Sequence, residues 1–400
     1  MLTLDQLRSS RFYMFFLGAL AALGPIAIDA YLPMIPTIAE HFQTDIIAVN
    51  LTMSTYLIGV GIGQFFGGAL SDQLGRKRVG IVGLSLFCLT TYLIVNAESI
   101  IQVQLLRGLQ AIGSGFVSVI CLAQLRDLFP KDQVMSKYAN VILVVMLAPL
   151  FAPILGASLI NFGWQSLFIL MGLWGLIILS IYVYCIPETL SKKPDQFVIG
   201  EMFRGYTYVI KHRVKQRIVA QRFIIYAGFQ GGVFFTFITN AALIYSEHFD
   251  QSAYRFAFIF AAHGLMLMVG NRLALILTKN WSPLAVLKMA NWSQLSITIM
   301  LTLAVVMSLD LMPIILALTL LLMTIGGISM PTAPSIFIGY FNKNAGAATS
   351  IYTTTSFLVG ALIGGLAAVL SKESLLPMFT IMTISCLCAR IVLSTIEEPD

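Results

Sequence analysis

The sequence predicts an all-α polytopic membrane protein with twelve transmembrane helices in two pseudo-symmetric six-helix halves. Three observations carry this. The 400 residues are 58% hydrophobic and only 10% charged, with a mean hydropathy of +0.88. A soluble domain carries about 25% charged residues, so this chain cannot cover a water-facing surface. Twelve apolar runs are long enough to cross a bilayer. Finally, the net charge of +6 is concentrated in alternate loops. That is the topology signal of the positive-inside rule and not the footprint of a nucleic-acid partner.

The first run, 12–36, is too long for a signal-peptide core and has no small-residue cleavage site behind it, so it reads as a retained span. The others fall at 46–70, 79–97, 100–123, 136–160, 164–186, 219–245, 254–277, 284–307, 311–334, 346–370 and 374–396. Arg8 and Arg11 precede span 1; Arg76, Lys77 and Arg78 follow span 2; Arg126, Lys131 and Lys137 follow span 4. Lys192, Lys193, Arg204, Lys211, Arg213, Lys215 and Arg217 follow span 6, Lys279 follows span 8, and Lys343 follows span 10. The loops 37–45, 97–99, 161–163, 246–253 and 308–310 contain neither Lys nor Arg, which places both termini in the cytoplasm. The long polar stretch between spans 6 and 7 divides the chain into residues 1–187, a cytoplasmic linker 188–218, and residues 219–400. A short repeat crosses that division: Ile28-Asp29-Ala30-Tyr31-Leu32 resembles Thr239-Asn240-Ala241-Ala242-Leu243, with chance as the alternative. Parallel halves with a site between them are a transporter architecture.

Asp29 is the only acid deep in any span, and Arg107 in span 4 is the other deep charge. A charge at the centre of a membrane helix costs at least ~2.5–3.5 kcal/mol, so it normally faces a partner or a watery cavity. Asp29 lies about seven residues before the outer end of span 1 and Arg107 about six after the outer start of span 4. At ~1.5 Å per residue both sit roughly 9–11 Å deep, so they can meet. The reading is a proton-coupling pair; a static ion pair is the alternative. Gln110 stands three residues after Arg107 and shares its face.

Further stretches carry a pattern. Gly59, Gly63 and Gly67 in span 2 form a close-packing face, without the strand–loop–helix setting of a nucleotide loop. After span 2, Gly68 ends the helix, Asp72 sits at the turn, and Gly75 permits a tight bend before Arg76 and Lys77. Asp72 can reach Arg76 or a neighbouring helix N-terminus, making a breakable cytoplasmic latch. In span 5, Pro149 and Pro153 each remove a helix hydrogen bond, and Gly156 follows; flexible gating and plain small-residue packing are the two readings. In span 7, Gln230, Val233, Phe237 and Asn240 share a face that suits a cavity wall or, equally, an interhelical contact. Tyr31 joins the candidate cavity residues. His263 reads as a hydrogen-bonded interior histidine, and the five cysteines as small buried side chains. No catalytic constellation or metal-ligand spacing can be assembled, so no enzyme, cofactor or metal is expected.

The loop Gly68–Arg78 and the span-4 stretch Arg107–Gly115 resemble the major facilitator superfamily. Adding Asp29-Ala30-Tyr31-Leu32-Pro33, Arg126-Asp127-Leu128-Phe129, Gly163-Trp164 and Pro187-Glu188-Thr189-Leu190, the chain looks like the Bcr/CflA subfamily of drug/proton antiporters. Span 5 is similar to their antiporter motif, with Ala152 and Ala157 where the family has Gly; Ser356 and Ala242 are further departures, in the second half. The resemblance implies two halves rocking about a central cavity in a bacterial inner membrane. It implies export of chloramphenicol- or bicyclomycin-like solutes in exchange for protons, powered by the proton gradient alone, by a functional monomer. Asp29 would bind and release the proton, held in turn by Arg107 or substrate. Proton-coupled transport of a small metabolite on the same fold is the alternative.

Overall fold

The computed structural model describes residues 3–191, 200, 203–211, 219–341 and 344–397. Lys192, Lys193, His212, Arg213, Lys215, Arg217 and Lys343 lie outside the described residues. Twelve helices are long and apolar enough to span a membrane, and no strand occurs among the described residues. They are α1 (Arg11–Asp29), α2 (Ile46–Leu74), α3 (Arg76–Val95), α4 (Ile100–Leu128), α5 (Lys131–Leu159), α6 (Gln165–Cys185), α7 (Val219–Ala242), α8 (Ala253–Leu277), α9 (Pro283–Val306), α10 (Met312–Gly339), α11 (Ala345–Leu370) and α12 (Leu376–Ser394).

Capping side chains mark where five of these helices begin. Ser10, Asp45, Ser99, Ser252 and Ser282 each accept a hydrogen bond from the backbone N–H of the third residue on, satisfying a donor the helix leaves open. The loop after span 2 differs from the sequence expectation. Gly68 does not end the helix: Ser71, Asp72 and Gln73 continue it to Leu74. Gly75, at φ 100°, is the break, in a backbone region open chiefly to glycine.

Span 1 differs too. It runs Arg11–His41, longer than expected, but is broken in the middle. Pro33 stands four residues after Asp29 and has no N–H to offer its carbonyl, so α1 stops at Asp29. Pro36 does the same to Leu32, and Leu32–Met34 tightens into a 3₁₀ turn before the short helix Ile35–His41. The residue with the deepest negative charge is therefore the last of a helix.

The chain divides into two compact units, Met1–Arg204 and Gly205–Asp400. In the first, α1 packs on α5, α2 on α4, and α3 on both α4 and α6. In the second, α7 packs on α11, α8 on α10, and α9 on both α10 and α12. The pairing order thus repeats six helices on, as a parallel duplication does. Inside the stretch read as a linker, Arg204–Lys211 is a short helix that buries Tyr206 and Val209 in the second unit.

Small residues let the paired helices approach closely. A Cβ on Gly59 or Gly63 would collide with the backbone carbonyl of Gly108 or Ile112 in α4, so the glycine face of α2 is a helix contact. Gly270 of α8 and Gly327 of α10 meet the same way in the second unit. Large apolar side chains such as Leu105, Phe151 and Leu362 remain exposed, which suits a lipid solvent. Cys88, Cys121 and Cys386 are buried and unpaired.

Candidate functional site

The site is built on the broken end of α1. Asp29 is 7% exposed, and among the described residues its carboxylate meets neither a hydrogen-bond donor nor a cation. The expected pairing with Arg107 is not formed. Arg107 is fully buried and directs both terminal nitrogens elsewhere: Nη1 to Gln110 Oε1 at 2.9 Å and Nη2 to the Ala27 carbonyl at 3.0 Å, while Nε has no partner among the described residues. The physical reason is the helix break. The last carbonyls of α1 lose their intrahelical donors, and together they form the negative end of its dipole. Arg107 caps one of them and leaves the carboxylate two residues on without a fixed counter-ion.

Aromatic rings complete the setting of Arg107. Its guanidinium carbon lies 4.5 Å from the centre of the Tyr31 ring and 4.1 Å from that of Tyr56. Such contacts favour the cation by ~2 kcal/mol or more where water is excluded. Tyr31 shares a 2.8 Å hydrogen bond with Thr52, and Tyr56 lies 3.2 Å from Ser114 Oγ. Trp164 reaches the cluster through Phe168, which meets Tyr31 edge-on. Gln110 donates to Thr91 Oγ1 at 2.6 Å, so both ends of its amide are engaged.

Five residues expected to line a cavity are instead committed inside their units. Tyr31 and Gln110 belong to the Arg107 cluster. In the second unit, Gln230 donates to Gln294 of α9 at 3.0 Å, Phe237 packs at a tilt against His263 of α8 with centroids 4.8 Å apart, and Asn240 donates to the Gly364 carbonyl of α11 at 3.1 Å. The polar–aromatic stripe of α7 is an interhelical contact, the alternative its spacing allowed. His263 is the bonded interior histidine expected: Nδ1 lies 2.7 Å from the Ile259 carbonyl, and Nε2 faces Thr319 and Tyr245 hydroxyls at 3.0 and 3.3 Å. The carbonyl fixes the proton on Nδ1, which leaves Nε2 as an acceptor.

The latch is a larger network than its loop suggested. Arg76 pairs with Asp72 at 2.5 Å and with Asp127, at the end of α4, at 3.0 Å. Its backbone N–H, the first of α3, donates to Glu188 at 2.8 Å, an acid placed where a helix N-terminus favours one. Thr189 donates to Asp127, and Lys77 to the Val183 carbonyl. Three segments far apart in sequence, Ser71–Lys77, Asp127 and Glu188–Thr189, so converge on one arginine.

The profile of the Major Facilitator Superfamily matches residues 14–365. The chain belongs to the major facilitator superfamily. A bicyclomycin resistance protein homolog from Haemophilus influenzae is 26% identical over 380 residues, covering 95% of this chain and 94% of that one. The resemblance to the Bcr/CflA antiporters agrees with that relative. The multidrug transporter MdfA of Yersinia pestis is 31% identical over 189 residues, 47% of this chain and 46% of its own. Among solved structures, a POT family transporter in complex with 5-aminolevulinic acid superimposes with a TM-score of 0.78 at 13% identity, covering 98% of both chains. A D-xylose-proton symporter gives 0.74 at 14% identity, over 95% of this chain and 97% of that one. The structural likenesses show the fold alone; the family match and the twelve spans make the chain a multi-pass member of that transporter superfamily.

Within that superfamily fold, the span-5 motif acquires a concrete contact. α5 runs unbroken through Pro149 and Pro153, and Gly156 lies against the Ala30 carbonyl, one residue past Asp29. Gly156 thus makes a close packing contact in this structure. Sequence reasoning missed Tyr56, Met53 and Asn50 of α2. Asn50 is fully buried, and neither side-chain polar atom has a partner among the described residues. A polar residue 21 positions after Asp29 in an otherwise apolar run was the available signal.

Proposed function

We propose that this superfamily member exports hydrophobic drug-like solutes from a bacterial cell in exchange for protons, by alternating access, with Asp29 as the proton-binding group. The observation that carries the reading is a buried carboxylate whose one candidate counter-ion is committed elsewhere. A bare charge at that depth costs ~2.5–3.5 kcal/mol at least. A proton removes the charge, and a polar or cationic group of a solute compensates it. Occupancy by one therefore disfavours the other, and that exclusion couples an outward solute to an inward proton. The relatives named for bicyclomycin resistance and multidrug transport support the solute class. The basic loops support cytoplasmic termini in an inner membrane. Coupling needs no cofactor beyond the proton gradient, and each unit's own network suits a functional monomer.

Arg107 acts here as a positioning residue. Pro33 sets where α1 ends; by capping the Ala27 carbonyl, Arg107 braces that end beside Asp29. Inside-out vesicles with an imposed proton gradient and a fluorescent pH probe test the proposal. Some drugs should dissipate the gradient with the unaltered protein and none with Asp29→Asn. Gradient-coupled movement of a sugar or amino acid, with no drug active, would favour the metabolite alternative. Full coupling in Asp29→Asn would remove the acid from its role.

A further inference from the structure

The second unit carries two cations on a surface that faces lipid. Arg390 of α12 lies 4.6 Å from the ring of Trp292 of α9, a ring that is 53% exposed. Lys288 stands one turn before Trp292 and so shares its face. Around them the same surfaces of α9 and α12 expose Met289, Leu387 and Ile391. These are apolar side chains of membrane-spanning helices, so the cations sit on the outside of the unit.

Both are near the membrane boundary, and near the same one. α12 ends at Ser394 and α9 begins at Pro283. At ~1.5 Å per residue, Arg390 lies about 6 Å and Lys288 about 7–8 Å inside those ends. Long basic side chains at that depth turn toward the headgroups. Neither has a hydrogen-bond or ion-pair partner among the described residues, and the Nη1 atom of Arg390 is buried without one. None of the described residues supplies the missing charge. At this end of the unit, Glu397 is the only acid among the described residues, against Arg222, Arg272, Lys279, Lys288 and Arg390.

We infer that Arg390, Trp292 and Lys288 form a binding site for the phosphate of an anionic phospholipid, with its acyl chains along the apolar face of α9 and α12. The guanidinium lies over the indole, 4.6 Å from its centre, and that contact restrains the long side chain beside the ring. Lys288 supplies a second charge one helical turn away. Basic pockets between membrane helices recognise phosphate headgroups by this chemistry.

The test uses the full-length protein in detergent with added phosphatidylglycerol, phosphatidylethanolamine or inorganic phosphate, read by thermal unfolding and by native mass spectrometry. Phosphatidylglycerol should raise Tm and stay bound in the mass spectrum, whereas phosphatidylethanolamine should do neither. Lys288→Gln and Arg390→Gln should each weaken phosphatidylglycerol binding about fivefold. Lys288 is only partly buried and packs little, so its variant folds and is decisive even if Arg390→Gln does not. Arg390→Lys keeps the charge but loses the guanidinium over the indole, and should fall between. Equal response to both lipids, or unchanged binding in Lys288→Gln, overturns the site. An equal shift with inorganic phosphate alone would make it a free-anion site and overturn the lipid assignment.

Discussion

Gly156→Ala places one methyl group where it should do the most harm. The new Cβ would overlap the backbone carbonyl of Ala30, and neither neighbour is a flexible side chain that can swing away. To restore ordinary contact, α5 or the end of α1 must retreat by about 1 Å. Overpacking of this kind costs ~1–3 kcal/mol, so Tm should fall by a few degrees. The effect on transport should be larger than the effect on stability, because the carbonyl being displaced follows Asp29 directly. A misplacement of about 1 Å at a working group costs up to ~100-fold in rate, and a loss of at least tenfold is expected here. Gly172→Ala in α6 is the matched control. Its Cβ would lie 3.5 Å from Thr91 Cγ2, an ordinary contact, so both Tm and rate should stay unchanged. The assay is drug export into the lumen of everted vesicles at equal amounts of folded protein. Efflux within twofold of the unaltered protein in Gly156→Ala, with Tm lowered as expected, would refute the link between this contact and the site.

Other outcomes follow from the same geometry. Arg107→Lys keeps the charge but not the delocalised guanidinium over Tyr31 and Tyr56, nor its ability to reach Gln110 and the Ala27 carbonyl together; stability should fall by ~1–3 kcal/mol in denaturant unfolding, with transport lost. Arg76→Ala and Asp127→Asn should show a coupling of ~0.5–3 kcal/mol in a double-mutant cycle, since the two side chains touch; an additive pair would contradict the network. His263→Gln should leave the pH profile of drug-driven proton movement in place, because that ring is a fully bonded structural element; a profile moved by more than about one pH unit would make it a proton carrier. Tyr245→Phe, which removes one hydroxyl from the same cluster, should cost ~0.5–1.5 kcal/mol without changing coupling.

Much of this fold is written in the pattern of the chain. Hydropathy and loop charge give the spans and their order, and the glycine spacing of α2 gives a helix contact, because each reports on one residue's relation to lipid or to an adjacent helix. The break in span 1 was also legible, since Pro33 and Pro36 each remove a donor at a known offset, yet an apolar run conceals where the helix inside it stops. That oversight propagated. Depth placed Asp29 and Arg107 at one level, but only a helix that ends at Asp29 offers Arg107 a free carbonyl to cap. Gln230, Phe237 and Asn240 show a different limit. A shared helical face says which residues point together, not whether a cavity or another helix stands opposite. Asp127 and Glu188 were visible as acids at a basic end, and that imbalance was the one signal for the larger latch.

The central claim is that Asp29 exchanges a proton for a solute. The most direct measurement is proton release when a transported drug is added to the purified protein in weakly buffered detergent solution, followed with a pH indicator. The unaltered protein should release roughly one proton per drug bound, and Asp29→Asn should bind drug and release none. Equal release from both proteins would show that the proton comes from elsewhere and contradict the account.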